Sequence, residues 1–390
     1  MTREQPHVLD VSRLIWRLNR KRLPTGIDRV CLAYLDAFAD RSLALIQWRS
    51  RRLVLPTADS QRLFSLLRDG HASRLKAGLA AIVLRAVLRG KRGQPQIGGK
   101  ILLNVGHTGL NAPGLVEWAR QSGVSPVYLI HDLIPLTHPQ FCRAAEDERH
   151  RVRMRQALES AHGIIANSQA TLDDLQAFAS SEGLSVPESV VAHLGVEAFG
   201  ARPGDRLHPR PYFLCVGTIE ARKNHALLLR LWQRLRDEMG AATPDLVFIG
   251  QRGWLADEVF AQLDQQQPGQ GRVIELGRCD DDALATWIAH SRAVLMPSFA
   301  EGYGLPLLEA LMLQAPVIAH DLAVYREIAG DVPLLIDVAD EDAWLSAVRD
   351  YCADSPEREQ RIAAAAGLPV PSWQDHIAKV RCWLDHHLAQ

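Results

Sequence analysis

The chain has 390 residues, 47% of them hydrophobic and 23% charged, with a formal net charge of −1. That composition excludes a disordered, collagen-like or disulfide-dense chain and predicts a soluble globular protein of about two domains. The charge is unevenly divided: Lys and Arg outnumber Asp and Glu by 27 to 19 over residues 1–205 and are outnumbered 17 to 26 thereafter. No apolar run is long enough to span a bilayer. The N-terminal residues lack the apolar core of a signal peptide. The six cysteines are scattered without a CxxC pair, which suits a reducing cytoplasm.

The first predicted strand is residues 7–12. A basic, Trp-containing stretch follows, then Leu23-Pro-Thr-Gly26 leads into a helix with Val30, Tyr34, Leu35 and Phe38 on one face. Gly26 at a strand–helix junction is read as a phosphate-binding turn or a plain turn. Residues 43–48 predict a second strand. From Gly70 to Val116 there are seven Lys or Arg and no Asp or Glu. Within this region residues 74–92 read as a basic amphipathic helix, with Leu75, Leu79, Ile82, Val83 and Ala86 on one face. Such a helix suits an anionic membrane surface or packing on its own domain. Further strands are predicted at 100–105, 126–131, 163–168 and 189–194. Ser168 is the expected N-cap of the helix after it.

The second half repeats the pattern, with strands at 211–217, 245–250, 273–277, 293–297, 316–320 and 333–336. Short apolar strands alternating with helices predict a parallel sheet covered on both faces. The expected fold class is α/β, with two doubly wound, Rossmann-like domains facing a cleft. The expected divisions are 1–203, 204–371 and a final helix, 372–390, crossing back to the first domain.

In open parallel sheets ligands lie beyond the carboxyl ends of the strands. His131-Asp132, Gly217-Thr218, Gly277-Arg278 and Glu301 all follow apolar runs. Arg222-Lys223 puts two cations at a helix start, suited to a diphosphate. His131 suits an acid, a base or a hydrogen-bond donor. Gly302 and Gly304 precede a helix opened by Pro306, with Glu301 and Glu309 on either side. Asp280-Asp281-Asp282 reads as the acidic first turn of a helix rather than a metal site.

Glu301 and Glu309 form an E-x7-E pattern that resembles the retaining GT-B glycosyltransferases of family 4. Supporting motifs stand in order: the Gly26 loop, His131-Asp-Leu-Ile-Pro, Ala166-Asn-Ser, His193-Leu-Gly-Val, Val216 through His225, Leu276-Gly-Arg, and Pro297 through Glu309. Thr25-Gly26 stands where the family has a Gly-Gly pair. The resemblance implies transfer of a sugar from a nucleotide-sugar with retained configuration, and no metal or other cofactor. It implies that Arg222 and Lys223 hold the donor diphosphate, Glu309 the ribose and Glu301 the sugar. His131 is expected near the reacting centre and Gly26 on the first-domain side. Backbone around Tyr303, Gly304 and Leu305 is expected to approach sugar and phosphate. Gly217, Thr218, Gly277 and Arg278 complete the expected donor site.

The motif wording is most similar to bacterial mannosyl- and rhamnosyltransferases of surface-polysaccharide synthesis. GDP-mannose is therefore the expected donor and a lipid-linked glycan the expected acceptor. The expected location is cytoplasmic, peripheral on the inner membrane face, with no nucleic-acid partner. A UDP-sugar or dTDP-rhamnose donor, an inert nucleotide-sugar-binding scaffold, and a phosphorylase or epimerase of related fold are the alternatives.

Overall fold

The computed structural model describes residues 5–19, 26–89, 95–197, 204–265, 271–277 and 279–387. It divides into two compact units, one of residues 1–133, 148–194 and 373–390, the other of residues 134–147 and 195–372. The division falls at 194/195 rather than 203/204, and residues 134–147 leave the first unit to join the second. Residues 198–203, on the near side of the expected division, lie outside the described residues.

The first unit holds β1 (His7–Asp10), β2 (Ser42–Trp48), β3 (Arg51–Val54), β4 (Ile101–Asn104), β5 (Ser125–Ile130), β6 (Gly163–Ala166) and β7 (Ser189–Val191). Their order in the sheet is β3-β2-β1-β4-β5-β6-β7. The pairings are parallel except β2 with β3, which is antiparallel with Trp48 opposite Arg51. This hairpin corrects the all-parallel expectation. Arg51-Arg-Leu-Val carries two cations and only two apolar residues, too polar to read as a strand, and Arg49 turns the chain with φ 54°. An edge strand tolerates that polarity because one side of it faces solvent.

Helix Ala72–Arg89 forms in the basic region; residues 90–92 of the expected helix lie outside the described residues. Its faces differ from the expected ones. Leu75 and Ile82 are buried, whereas Val83 is 41% exposed, Leu84 60% and Leu88 78%. Arg85 turns inward, its Nε donating to buried Asp59 at 2.9 Å. The ion pair fixes the helix rotation and leaves leucines outside.

The second unit holds β8 (Tyr212–Val216), β9 (Asp245–Ile249), β10 (Val273–Leu276), β11 (Val294–Met296), β12 (Val317–His320) and β13 (Leu334–Ile336). The sheet is parallel, ordered β10-β9-β8-β11-β12-β13. Its core is built on Phe213, Phe248, Leu295, Trp232 and Trp344. Fully burying such side chains contributes about 1.5–3 kcal/mol each. The polar end of Trp232 is satisfied by donation to the Pro244 carbonyl at 2.9 Å.

The final helix, Trp373–His387, belongs to the first unit. His376 Nδ1 lies 3.0 Å from the His193 carbonyl, which can only accept, so that nitrogen carries the proton. Nε2 then accepts from the Tyr34 hydroxyl at 2.9 Å. Burial pushes the His376 pKa down to about 4, in keeping with this neutral tautomer.

Candidate active site

The strand order of the second sheet reverses between β8 and β11, so connections leave in opposite directions there and open a crevice at the carboxyl ends. Gly217 follows β8 and Ser298 follows β11. Two loops thereby meet. One is the turn Ala221–Lys223, preceded by Glu220 and ahead of helix His225–Met239; the other runs from Ser298 to Gly304, ahead of helix Leu305–Met312.

Glu301 joins them. Its Oε2 lies 2.7 Å from Arg222 Nη1 and its Oε1 2.5 Å from Lys223 Nζ. Burial opposes its ionisation, but the two cations and the Ser298 hydroxyl outweigh burial and hold its pKa near 2. Arg222 also meets Glu220 at 2.7 Å and donates to the Ala300 carbonyl at 2.7 Å. Burial raises the Glu220 pKa, with Arg222 and Lys223 pulling the other way. The Phe299 N–H returns a bond to the Arg222 carbonyl at 2.9 Å. The result is a buried cluster of two fixed cations whose side chains are 19% and 10% exposed. Fixed cations in a poorly hydrated site are suited to an incoming polyanion and to charge developing on a leaving diphosphate.

Two glycines permit this geometry. Gly304 is the N-cap of helix Leu305–Met312, with φ 107°, and a Cβ there would lie 2.6 Å from the Tyr325 ring. At Gly250 a Cβ would lie 1.8 Å from the Gly217 carbonyl oxygen, so only glycine lets the ends of β8 and β9 approach this closely. Tyr303 and Glu309 are buried, Glu309 in the first turns of its helix. Thr218 is half-buried beside Gly217. Gly277 is exposed at the end of β10, and Arg278 lies outside the described residues. Asp280 caps helix Asp281–Ala289 by accepting from Ala283 N at 2.8 Å.

In the first unit, His131 directly follows β5 and is 5% exposed. Its Nε2 donates to the Val105 carbonyl at 2.8 Å, which fixes the tautomer and leaves Nδ1 as the acceptor nitrogen. Burial lowers its pKa to about 4, the Val105 bond and Asp132 opposing, so the ring is neutral at pH 7. Asn167 Nδ2 donates to the His131 carbonyl at 2.8 Å, and the His107 ring lies 4.9 Å away. Ser168 caps helix Gln169–Ser181 through Thr171 N at 3.1 Å. Gly26 opens helix Gly26–Phe38; residues 20–25 of its loop lie outside the described residues. Sequence reasoning missed Val105 and His107. A second histidine three residues past the end of the neighbouring strand β4 was the available signal.

Residues 202–367 match the family described as glycosyl transferases group 1. Over 255 residues the chain is 28% identical to serotype-specific mannosyltransferase WbdA of Escherichia coli, covering 59% of this chain and 31% of that protein. Over 167 residues it is 38% identical to O-antigen chain mannosyltransferase B of Escherichia coli, covering 42% of this chain and 43% of that protein. These matches thus span less than half the length of either relative. The fold is similar to that of sucrose-phosphate synthase from Thermosynechococcus elongatus, with TM-score 0.62 and 15% identity over 99% of this chain and 100% of that one. The solved structures it resembles are GT-B glycosyltransferases, in agreement with the fold class read from the sequence.

Proposed function

We propose that this chain is a retaining glycosyltransferase of the family 4 type. It moves mannose from GDP-mannose to a glycan, lipid-linked, in bacterial surface-polysaccharide synthesis. The observation that carries the reading is the Arg222–Lys223–Glu301 cluster at the reversal point of the second sheet. The mannosyltransferase relatives support the choice of sugar. The acceptor hydroxyl oxygen bonds to the anomeric carbon on the face from which the diphosphate oxygen departs, so configuration is retained, and the hydroxyl proton passes to that departing oxygen as its bond to carbon breaks. Arg222 and Lys223 offset the charge left on the departing diphosphate. Gly217, Thr218 and the backbone of Tyr303, Gly304 and Leu305 line the phosphate and sugar. Glu309 takes the ribose hydroxyls. Glu301 fixes both cations and meets the sugar, and neutral His131 offers Nδ1 to a sugar hydroxyl. No metal takes part in this scheme.

A donor screen tests it. The protein is incubated with GDP-mannose, a UDP-sugar or dTDP-rhamnose and a mannose-terminated acceptor, and nucleotide release is followed. GDP release with mannosyl transfer is expected. Release of UDP or dTDP would reassign the donor, and no release from any donor would favour a binding scaffold.

Among the described residues no helix is long and apolar enough to cross a membrane. Helix Ala72–Arg89, with Leu84 and Leu88 outward and Arg74 and Lys76 exposed, suits an anionic membrane surface bearing the acceptor. Deleting the helix would also uncover the neighbours of Leu75 and Ile82, so point changes are cleaner. The pair Leu84→Asp and Leu88→Asp should weaken sedimentation with phosphatidylglycerol vesicles about tenfold, since each substitution removes apolar insertion and adds repulsion. Undiminished sedimentation would remove the membrane from the scheme.

A further inference from the structure

The chain does something unexpected just after His131. Residues 134–147 leave the first unit, pack within the second, and return at helix Glu146–Ser160. They form two short turns, Ile134–Thr137 and Pro139–Phe141. Phe141 is the contact point. Its ring lies parallel to Phe299, with centroids 4.7 Å apart and planes 8° apart. Its carbonyl accepts from Trp254 Nε1 at 3.2 Å, and the Arg143 guanidinium sits 5.0 Å over the Trp254 ring.

Each of these partners reaches the ion cluster through the backbone. Phe299 is two residues before Glu301, and its N–H donates to the Arg222 carbonyl at 2.9 Å. The Trp254 carbonyl accepts from Ala221 N, the residue before Arg222, at 3.3 Å. Gly253 N donates to Ile219 O at 2.9 Å. The segment therefore touches the Glu301 loop directly through Phe299 and reaches the Arg222–Lys223 turn through Trp254.

We propose that residues 134–147 are a strap that sets the spacing of the two donor-site loops, with Phe141 as a positioning residue. The ring holds the Glu301 loop through Phe299, and the carbonyl holds the Arg222–Lys223 turn through Trp254. The proposal rests on the donor-site reading above. Sub-ångström placement matters at such a site: a displacement of about 1 Å can cost about a hundredfold in rate.

The test uses the full chain carrying Phe141→Leu, Phe141→Tyr or Phe141→Ala. GDP, UDP and dTDP are titrated, and donor KM, acceptor KM, kcat and Tm are measured. Phe141→Leu keeps apolar bulk but loses the stacked ring. It should weaken nucleotide binding and raise donor KM about tenfold, with acceptor KM and Tm held. Phe141→Tyr should restore both donor values. Phe141→Ala should show a larger loss; should it fail to fold, the contrast between Leu and Tyr decides. Nucleotide binding by Phe141→Leu equal to the unsubstituted chain would overturn the strap. So would a loss that tracks Tm and is not restored by tyrosine. If the unsubstituted chain binds none of the three nucleotides, the donor-site reading itself fails, and the strap with it.

Discussion

Glu301→Gln is expected to lower turnover at saturating donor by about a hundredfold or more and to destabilise the fold by about 3 kcal/mol. The amide has the right shape and the wrong charge. It would present an NH2 group to Arg222 or Lys223 where a carboxylate now stands 2.7 Å and 2.5 Å away. Removing one member of a buried ion cluster leaves the others desolvated and uncompensated, which usually costs more than the intact pair contributes. Glu220 is a poor substitute, because burial favours its protonated form.

The pH dependence gives an independent handle. A carboxyl whose folded pKa is depressed from 4.5 to about 2 contributes stability that is complete above 4.5 and lost as pH falls through 2. Denaturant unfolding of Glu301→Gln should therefore show a flatter decline between those pH values than the unsubstituted chain. Near-normal turnover together with an unchanged pH slope would remove Glu301 from both roles.

Gly250→Ala is expected to be the most damaging single methyl in the second unit's strand-end loops. The added Cβ would sit 1.8 Å from the Gly217 oxygen, 2.5 Å from its carbonyl carbon and 3.3 Å from Thr218 N. All three are backbone atoms, so no flexible side chain can yield. The β8 end must move away from β9, breaking the Gly217 N–H bond to the Ile249 carbonyl at 2.9 Å and shifting the turn that carries Lys223. Overpacking of this kind costs about 1–3 kcal/mol, and more where backbone must separate. A drop in Tm of several degrees is expected, about 2–4 °C for each kcal/mol in a unit of this size. Gly277→Ala is the stability control, because a Cβ there meets nothing within 4 Å among the described residues. Equal Tm values for the two variants would show that the close approach carries no strain.

Most of the fold was legible because apolar runs of three to seven residues, spaced by helices, have few ways to pack other than as covered parallel sheets. The β2–β3 hairpin was not, since Arg51 and Arg52 hide an edge strand whose partner is a buried one. Helix Ala72–Arg89 was legible as a helix but not in its rotation. Periodicity placed Val83 with Leu75 and Ile82, whereas the pairing of Arg85 with Asp59 turns Leu84 and Leu88 outward. No spacing along the chain announces a partner 26 residues away.

At the candidate site, residue types and strand-end positions singled out Arg222, Lys223 and Glu301, and the structure brings these three together. What sequence could not show is that the cations are already held by carboxylates. Nor could it show that Phe141 and Trp254, from stretches 113 residues apart, buttress the loops. Both depend on three-dimensional adjacency, which no local pattern encodes.

The central claim is that the Arg222–Lys223–Glu301 cluster receives a nucleoside diphosphate. Calorimetric titration of GDP into the unsubstituted chain and into Lys223→Ala tests it most directly. Saturable binding to the unsubstituted chain is predicted. Lys223→Ala should bind at least about tenfold more weakly, the usual scale for losing one charge-assisted contact to phosphate. Equal affinity of the two proteins for GDP would contradict the account.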